Sequence, residues 1–189
     1  VACSPAEMAS DKKSAKPDVA FNKVKFDSYF LEGLKQKTLG NDEQARQQFA
    51  KALVLDPKHP ATLYELANLA ARNGDMSTAT EYMGIALKGE PNNRYYREFA
   101  ASLYQQQAQY DEAAKVYESL VEDYPEMPEY YFELSSMYLY SNQLAKAAAA
   151  YDSLEVHAGF NPEVSVQKVK IYGQLGENQK AKAEIEKLI

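Results

Sequence analysis

Apolar residues recur along most of this chain at the spacing of helices, and the same pattern returns every 34 residues. No segment shows the alternation of apolar and polar residues that is typical of a strand. The clearest column is alanine, at Ala45, Ala79, Ala113, Ala147 and Ala181. Four residues after each alanine comes a large side chain, in the series Phe49, Met83, Tyr117, Tyr151 and Ile185. A fixed period of this length indicates a protein built from repeated structural units.

Proline and glycine divide each unit into two helices. All the prolines after residue 25 fall at the junctions between units, at Pro57, Pro60, Pro91, Pro125, Pro128 and Pro162. Proline stops a preceding helix and is tolerated in a first helical turn, so these positions predict corners between helices. A second break lies midway, where Gly40 precedes Asn41 and Gly74 precedes Asp75. Each unit is therefore predicted to be a helix, a turn and a second helix.

These columns together resemble the tetratricopeptide repeat family. The repeats fit residues 26–59, 60–93, 94–127, 128–161 and 162–189, of which the last is incomplete. The aromatic residue that the family has early in its first helix is Tyr29 and Tyr131 in two repeats, but Leu63, Arg97 and Ser165 in the others. The resemblance implies an all-α fold, a right-handed α-solenoid of stacked helix–turn–helix repeats. In such a fold each repeat is stabilised by packing on its neighbours.

The distribution of charge divides the chain near residue 25. Residues 1–25 hold five lysines and three acidic residues with no helical apolar period, so we predict a flexible leader there. Residues 26–189 hold 16 basic and 24 acidic residues and form the predicted repeat domain. The net charge of the whole chain is −6, which gives no electrostatic footprint for nucleic acid.

The only cysteine of the chain, Cys3, lies in the leader. The segment Val1-Ala2-Cys3-Ser4 resembles the end of a bacterial lipobox, in which a small residue precedes a cysteine that becomes lipidated. The resemblance implies a lipoprotein of the bacterial cell envelope, held at the outer membrane and facing the periplasm. The alternative is a cytoplasmic protein with an incidental free thiol. No apolar run approaches the ~18 residues of a membrane-spanning helix, so membrane association is predicted through the lipid alone.

Catalytic and cofactor motifs are absent from the sequence. It contains no GxxxxGK[ST], no GxGxxG and no HExxH motif. His59 and His157 lie far apart, at two different repeat corners. Of two SxxK matches, one lies in the leader at Ser10 and Lys13, and the other, at Ser165 and Lys168, lacks the further motifs of the serine acyl-transfer enzymes. We predict a protein that is not an enzyme and that binds no cofactor and no metal.

The binding residues are predicted from the family resemblance. In tetratricopeptide proteins the first helix of each repeat lines a concave groove. The corresponding columns hold Phe30, Tyr64, Asn68, Arg72, Tyr95, Glu98, Ser102, Phe132, Ser136 and Tyr140. So many aromatic rings favour a site for a peptide or protein segment. The alternative is that the rings pack along neighbouring helices and face the groove only in part.

The resulting hypothesis is a non-catalytic scaffold that binds protein partners through its groove. The alternatives are a soluble cytosolic adaptor or co-chaperone, and an accessory domain of a larger protein. Chaperone-binding relatives need lysines in columns that hold Phe30, Tyr64 and Glu98 here, which speaks against a carboxylate-binding co-chaperone. The second helix of the fifth repeat ends with apolar Ile185 and Leu188, so we predict that this end continues or is covered by another unit.

Overall fold

The computed structural model describes residues 19–189, with side chains from Asn22 onward, and this part of the chain holds ten helices and no strand. The helices are α1 (Val19–Thr38), α2 (Asp42–Leu55), α3 (Pro60–Arg72), α4 (Met76–Gly89), α5 (Arg94–Gln106), α6 (Tyr110–Asp123), α7 (Pro128–Tyr140), α8 (Leu144–Ala158), α9 (Pro162–Leu175) and α10 (Asn178–Lys187). The predicted all-α helical repeat fold is confirmed. Cys3 lies outside the described residues, so its lipidation stays a prediction.

The described helices fall into two compact units, which divide between Pro57 and Lys58. In the first unit α1 begins at Val19, so it includes residues 19–25, which the charge pattern assigns to the leader. Neither proline nor glycine occurs in residues 19–25, so nothing in their sequence stops the helix. Farther along α1, the fully buried ring of Phe49 from α2 fills the space beside Gly33.

In the second unit, the first helices of successive repeats start 34 residues apart, at Pro60, Arg94, Pro128 and Pro162. The turn inside each repeat needs one residue with a positive φ angle. That residue is Gly74 (φ +81°) in one repeat and Gly176 (φ +73°) in another, whereas Ala108 (φ 56°) and Asn142 (φ 57°) adopt the same conformation without being glycine. Stacking therefore imposes the left-handed turn even where alanine disfavours it by about 1–2 kcal/mol.

The core of the second unit follows the predicted columns. Its small positions Ala79, Ala113 and Ala147 are completely buried, and the large side chains of Met83, Tyr117 and Tyr151 beside them are buried as well. The small residues allow the paired helices to approach closely, and the large ones fill the remaining space. The prediction that each repeat buries its apolar face against its neighbours agrees with this packing.

Arg97 replaces the expected aromatic residue of α5 and is nevertheless buried. Its guanidinium donates to the backbone carbonyl oxygens of Asn92, at 3.2 Å, and Ser119, at 3.3 Å. It also pairs with the Asp123 carboxylate at 2.7 Å. A buried charge is tolerated only when it is paired and hydrogen-bonded, and these contacts tie α5 to the end of α6.

Candidate protein-binding surface

Side-chain contacts link the first helices α3 and α5 within the second unit. The ring of Tyr64 on α3 stacks on Tyr96 of α5 with 5.0 Å between ring centroids. It also meets Phe99 edge to face at 5.5 Å. Such ring pairs add about 0.5–1.5 kcal/mol beyond the burial of their area. Tyr64 is thus a packing residue between repeats that keeps part of its ring exposed.

Polar contacts join α5 to α7 in the same way. The Tyr130 hydroxyl of α7 donates a hydrogen bond to Glu98 of α5, and Arg94 pairs with the same carboxylate at 2.9 Å. Burial, together with the hydrogen bond to Glu98, raises the pKa of Tyr130 to about 12. The Arg94 guanidinium also lies over the rings of Tyr124 and Tyr130. Glu98 is therefore already engaged by two groups of the protein.

Helices α3, α5 and α7 thus lie side by side and form what we call the α3–α5–α7 surface. It carries nine of the predicted binding residues, namely Tyr64, Asn68, Arg72, Tyr95, Glu98, Ser102, Phe132, Ser136 and Tyr140. The tenth, Phe30, belongs to the first unit. There its half-buried ring lies 6.0 Å from Phe26 and 5.8 Å from Phe49, so Phe30 helps to hold α1 on α2.

The small polar residues of this surface are bonded within their own helices. Asn68 donates its side-chain amide to the Tyr64 carbonyl at 3.0 Å. The hydroxyls of Ser102 and Ser136 donate to carbonyl oxygens one turn back, each at 2.8 Å. The hydroxyl oxygens and the Asn68 amide oxygen can still accept hydrogen bonds. These side chains therefore offer a partner mainly acceptors.

Two predicted aromatic rings are largely exposed. Tyr95 on α5 is 70% exposed and Tyr140 at the end of α7 is 67% exposed. Tyr140 is held in place by stacking on Tyr110 with 4.9 Å between centroids. Phe132, in contrast, is half-buried and packs edge to face on Tyr151 at 5.5 Å. The sequence columns do not distinguish these rings, whereas the structure separates the two largely exposed rings from Tyr64 and Phe132, which are half-buried between helices.

The last repeat contains a buried lysine whose burial the sequence analysis did not predict. Lys168 on α9 is only 2% exposed, and its Nζ lies 2.5 Å from Asp152, 2.9 Å from Glu155 and 2.7 Å from Glu184. The two carboxylates Asp152 and Glu155 belong to α8, and Glu184 belongs to α10. We call these four residues the Lys168 cluster. One sign of this cluster is visible in the sequence. The repeat position that holds Leu66, Ala100 and Leu134 in the three preceding repeats holds Lys168 in the last one.

The Lys168 cluster is built as an ion-pair network rather than a catalytic or metal site. The carboxylate oxygens of Asp152, Glu155 and Glu184 lie within 4.8 Å of one another, a spacing that a metal ion could bridge. The lysine ammonium already pairs with all three. Burial lowers the pKa of Lys168, but the hydrogen bonds that its ammonium donates to the carboxylates outweigh burial and raise the pKa, so the amine stays charged. Ser165 is also buried, so a substrate cannot reach the serine and lysine of this SxxK match.

A cavity of about 440 Å³ lies on a different face, between α6 and α8. Its polar lining groups are paired with one another. The Tyr138 hydroxyl donates to Glu118, and Gln143 donates to Asp111 at 2.7 Å. Lys146 lies over the Tyr138 ring at 5.2 Å. Because these groups pair with one another, we interpret the cavity as a gap between the second helices of two adjacent repeats.

No helix within residues 19–189 combines the length and apolarity that a membrane span requires.

Over a short stretch the chain is similar to a probable biofilm formation methyltransferase, WspC, of Pseudomonas putida, with 43% identity over 51 residues. That match covers 27% of this chain and 12% of the methyltransferase, so the chain spans only a small part of that relative.

Solved structures share the fold at low identity. MamA of Desulfovibrio magneticus is 20% identical with a TM-score of 0.65, and the match covers 86% of this chain and 92% of that one. A structure of Naa15/Naa10 bound to HypK-THB is 20% identical with a TM-score of 0.74, covering 89% of this chain and 27% of that one. At these identities the likeness concerns the fold.

Family models agree with the repeats seen in the helices. One tetratricopeptide repeat model matches residues 30–93 and 100–162, and a second matches residues 162–189. Together they cover most of the chain, and their description agrees with the 34-residue spacing of the first helices. The fold is that of an interaction scaffold, a class that is generally non-catalytic. The chain belongs to the tetratricopeptide repeat family.

Proposed function

We propose that this protein is a non-catalytic scaffold that binds a peptide or protein segment on the α3–α5–α7 surface. The observation that carries the proposal is the exposure of Tyr95 and Tyr140 on predicted binding columns. Large rings are the side chains that most often anchor a partner, because they bury much apolar area at a small cost in entropy. The acceptors of Asn68, Ser102 and Ser136 lie on the same surface and can orient the segment.

The neighbouring structures support a protein partner. One of them is described as Naa15/Naa10 bound to HypK-THB, which is an assembly of several proteins. Its identity to this chain is 20%, so it supports the class of function without naming the partner.

Replacing both exposed rings, in the variant Tyr95→Ala/Tyr140→Ala, is expected to weaken partner binding about five- to tenfold. Each ring contributes apolar contact that alanine cannot replace. The measurement is a quantitative pull-down from a cell-envelope extract, followed by titration of the recovered partner. Phe160→Ala is the control, since Phe160 is an exposed aromatic residue outside the α3–α5–α7 surface. Equal recovery by both variants would place binding elsewhere.

We further propose that the scaffold is a lipoprotein of the bacterial cell envelope, anchored through Cys3 on the periplasmic side of the outer membrane. The support is the lipobox-like segment Val1-Ala2-Cys3-Ser4 and the lysine-rich sequence that follows it. Two acyl chains on one cysteine suffice for stable anchoring, whereas one chain binds a membrane reversibly. The competing proposal is a cytoplasmic adaptor.

Cys3→Ser is expected to abolish incorporation of radiolabelled palmitate into the protein when the full-length gene is expressed in bacteria. Serine has no thiol to carry the lipid, and this cysteine is the only one in the chain. Ser4→Ala serves as the control, because it leaves the thiol in place. Unlabelled wild-type protein in the soluble fraction would favour the cytoplasmic adaptor.

A second candidate is an accessory repeat segment of a longer enzyme. It is favoured by the 43% identity over 51 residues to the probable methyltransferase WspC. In that case the chemistry belongs to another domain of the same polypeptide, and the sequence of the complete gene decides between the two candidates. Either way, we propose that a further unit covers the end of the fifth repeat.

A further inference from the structure

The α3–α5–α7 surface offers a partner mainly hydrogen-bond acceptors. Asn68, Ser102 and Ser136 each donate a hydrogen to a carbonyl oxygen of their own helix, which leaves the lone pairs of their side-chain oxygens for a partner. Two further acceptors, the carboxylates of Glu129 and Glu133, are exposed on α7. Lysine and arginine carry several donors and no acceptor, so their side chains complement such a surface.

The two carboxylates on α7 are not neutralised. Within the described part of the chain, neither Glu129 nor Glu133 pairs with a lysine or an arginine, whereas Glu98 on α5 pairs with Arg94. Glu133 accepts one hydrogen bond from the Gln105 amide of α5 at 2.9 Å and can accept more. Both carboxylates therefore remain available to a cation from a partner.

The stability of α7 does not account for this pair of carboxylates. Glu129 lies in the first turn of α7, where a negative charge is favoured by the helix dipole. Glu133 lies beyond the first turn. It follows Glu129 by four residues, so the two like charges meet across one helical turn and destabilise the helix slightly. Binding a cation would relieve this repulsion.

Tyr95 provides a second place for a cation on the same edge of the surface. It is the second residue of α5, as Glu129 is the second residue of α7. Within the described residues no cation lies over its largely exposed ring, although the neighbouring Arg94 lies over the rings of Tyr124 and Tyr130. An ammonium or guanidinium group over the face of a tyrosine ring is attracted to it.

The packing of α5 on α7 sets the distance between these two places. The hydrogen bonds from Tyr130 to Glu98 and from Gln105 to Glu133 join the two helices. Axes of helices in contact lie about 8–10 Å apart. An extended chain rises about 3.3 Å per residue, so roughly three residues span from Tyr95 to Glu129.

We propose that the α3–α5–α7 surface binds a basic, extended segment of another protein. One lysine or arginine of the segment lies over the Tyr95 ring, and a second, about three residues along, pairs with Glu129 and Glu133. This inference rests on the proposed function, because it names the chemistry of the segment that the same surface binds. Arg72 lies at the opposite edge, at the end of α3, so the basic residues bind at the edge of Tyr95 and Glu129.

The test first lets the surface choose its ligand. Peptides of roughly twelve residues are selected on the full chain from a random display library, and those that also bind Tyr95→Ala/Tyr140→Ala are discarded. The remaining peptides are expected to be enriched in lysine and arginine, with two basic residues about three positions apart. One enriched sequence is then synthesised and titrated by fluorescence anisotropy.

Glu129→Lys/Glu133→Lys is expected to weaken binding of this synthetic peptide at least about tenfold, because it replaces attraction by repulsion. Raising the salt concentration from about 0.05 M to about 0.5 M should also weaken binding to wild type, since salt screens exposed charges. The control is Glu81→Lys/Glu122→Lys, which changes the net charge equally at exposed positions on α4 and α6 and should bind as wild type does. Circular dichroism checks that each variant is folded.

Three results would overturn this inference and leave the proposed function standing. The first is a set of neutral or acidic peptides that still need Tyr95 and Tyr140. The second is equal weakening by the control, because overall charge would then explain the effect. The third is a dimer in sedimentation that Glu129→Lys/Glu133→Lys dissociates, since the occupant would then be a second copy. If no selected peptide depends on Tyr95 and Tyr140, the proposed function itself fails, and this inference fails with it.

Discussion

Replacing Lys168 by alanine is expected to lower the free energy of unfolding by about 3–5 kcal/mol. The ammonium is buried and pairs with three carboxylates, of which Glu184 is buried as well. Removing it leaves three like charges close together, of which Asp152 loses its buried cation and Glu155 and Glu184 keep only Lys187, at 3.2 Å and 2.9 Å. The loss is measured by urea unfolding followed by circular dichroism, with hydrogen exchange of α9 and α10 to locate it, since repeat proteins can unfold in parts.

The control for this variant is Lys170→Ala, which removes an exposed lysine from the same helix and should change stability by less than about 0.5 kcal/mol. Lys168→Met combined with Glu184→Gln is expected to recover part of the loss, because the double change removes charge of both signs. Equal stability of Lys168→Ala and Lys170→Ala would contradict the role that we assign to the Lys168 cluster.

The loss of stability in Lys168→Ala depends on pH, and this dependence follows from the pKa values of the acidic and basic partners in the ion pairs. Burial alone raises the pKa of Glu184, but hydrogen bonds from Lys168 and Lys187 outweigh it and hold the pKa below its ordinary value of 4.5. Its stabilisation is therefore complete above that value and is lost as the pH falls through the lower folded pKa. The pKa of Lys168 is raised above 10.5, so its contribution is lost only at strongly alkaline pH. The difference between wild type and Lys168→Ala should thus shrink in acid.

Gly33→Ala is expected to destabilise the first unit by about 1–3 kcal/mol, although alanine is the better helix former. A Cβ at this position would lie 2.5 Å from Cε1 and 2.6 Å from Cδ1 of Phe49. That ring is completely buried, so it can move only by disturbing the packing of α1 on α2. The measurement is the urea unfolding of the variant, followed by circular dichroism.

Gly84→Ala is the matched control, because Gly84 also lies within a helix but a Cβ there meets no atom within 4 Å. Its expected effect has the opposite sign, a stabilisation of up to about 1 kcal/mol from helix propensity alone. If both variants were stabilised by a similar amount, the close approach of the Phe49 ring to Gly33 would not limit the packing of α1 on α2.

The repeat columns predicted the core well, but they did not show which of the predicted binding residues are exposed. Ala113 and Tyr117 are buried as their columns indicate, because a side chain at a fixed position of a stacked repeat always meets the same neighbouring helix. Tyr64 and Tyr95 were placed on one surface by the same reasoning. Tyr64 also packs against Tyr96, whereas Tyr95 is exposed, a difference that depends on the rings present in the adjoining repeat.

The sequence by itself determined the helical repeats, their 34-residue period and the corners between them. These follow from local chemistry, since proline, glycine and the spacing of alanines act within one repeat or between adjacent ones. Only the tertiary structure decided the surroundings of Lys168 and the exposure of Tyr95. Both depend on which side chains neighbouring helices bring close. Asp152, Glu155 and Glu184 converge on one ammonium from two different helices, and no pattern along a single helix contains that information.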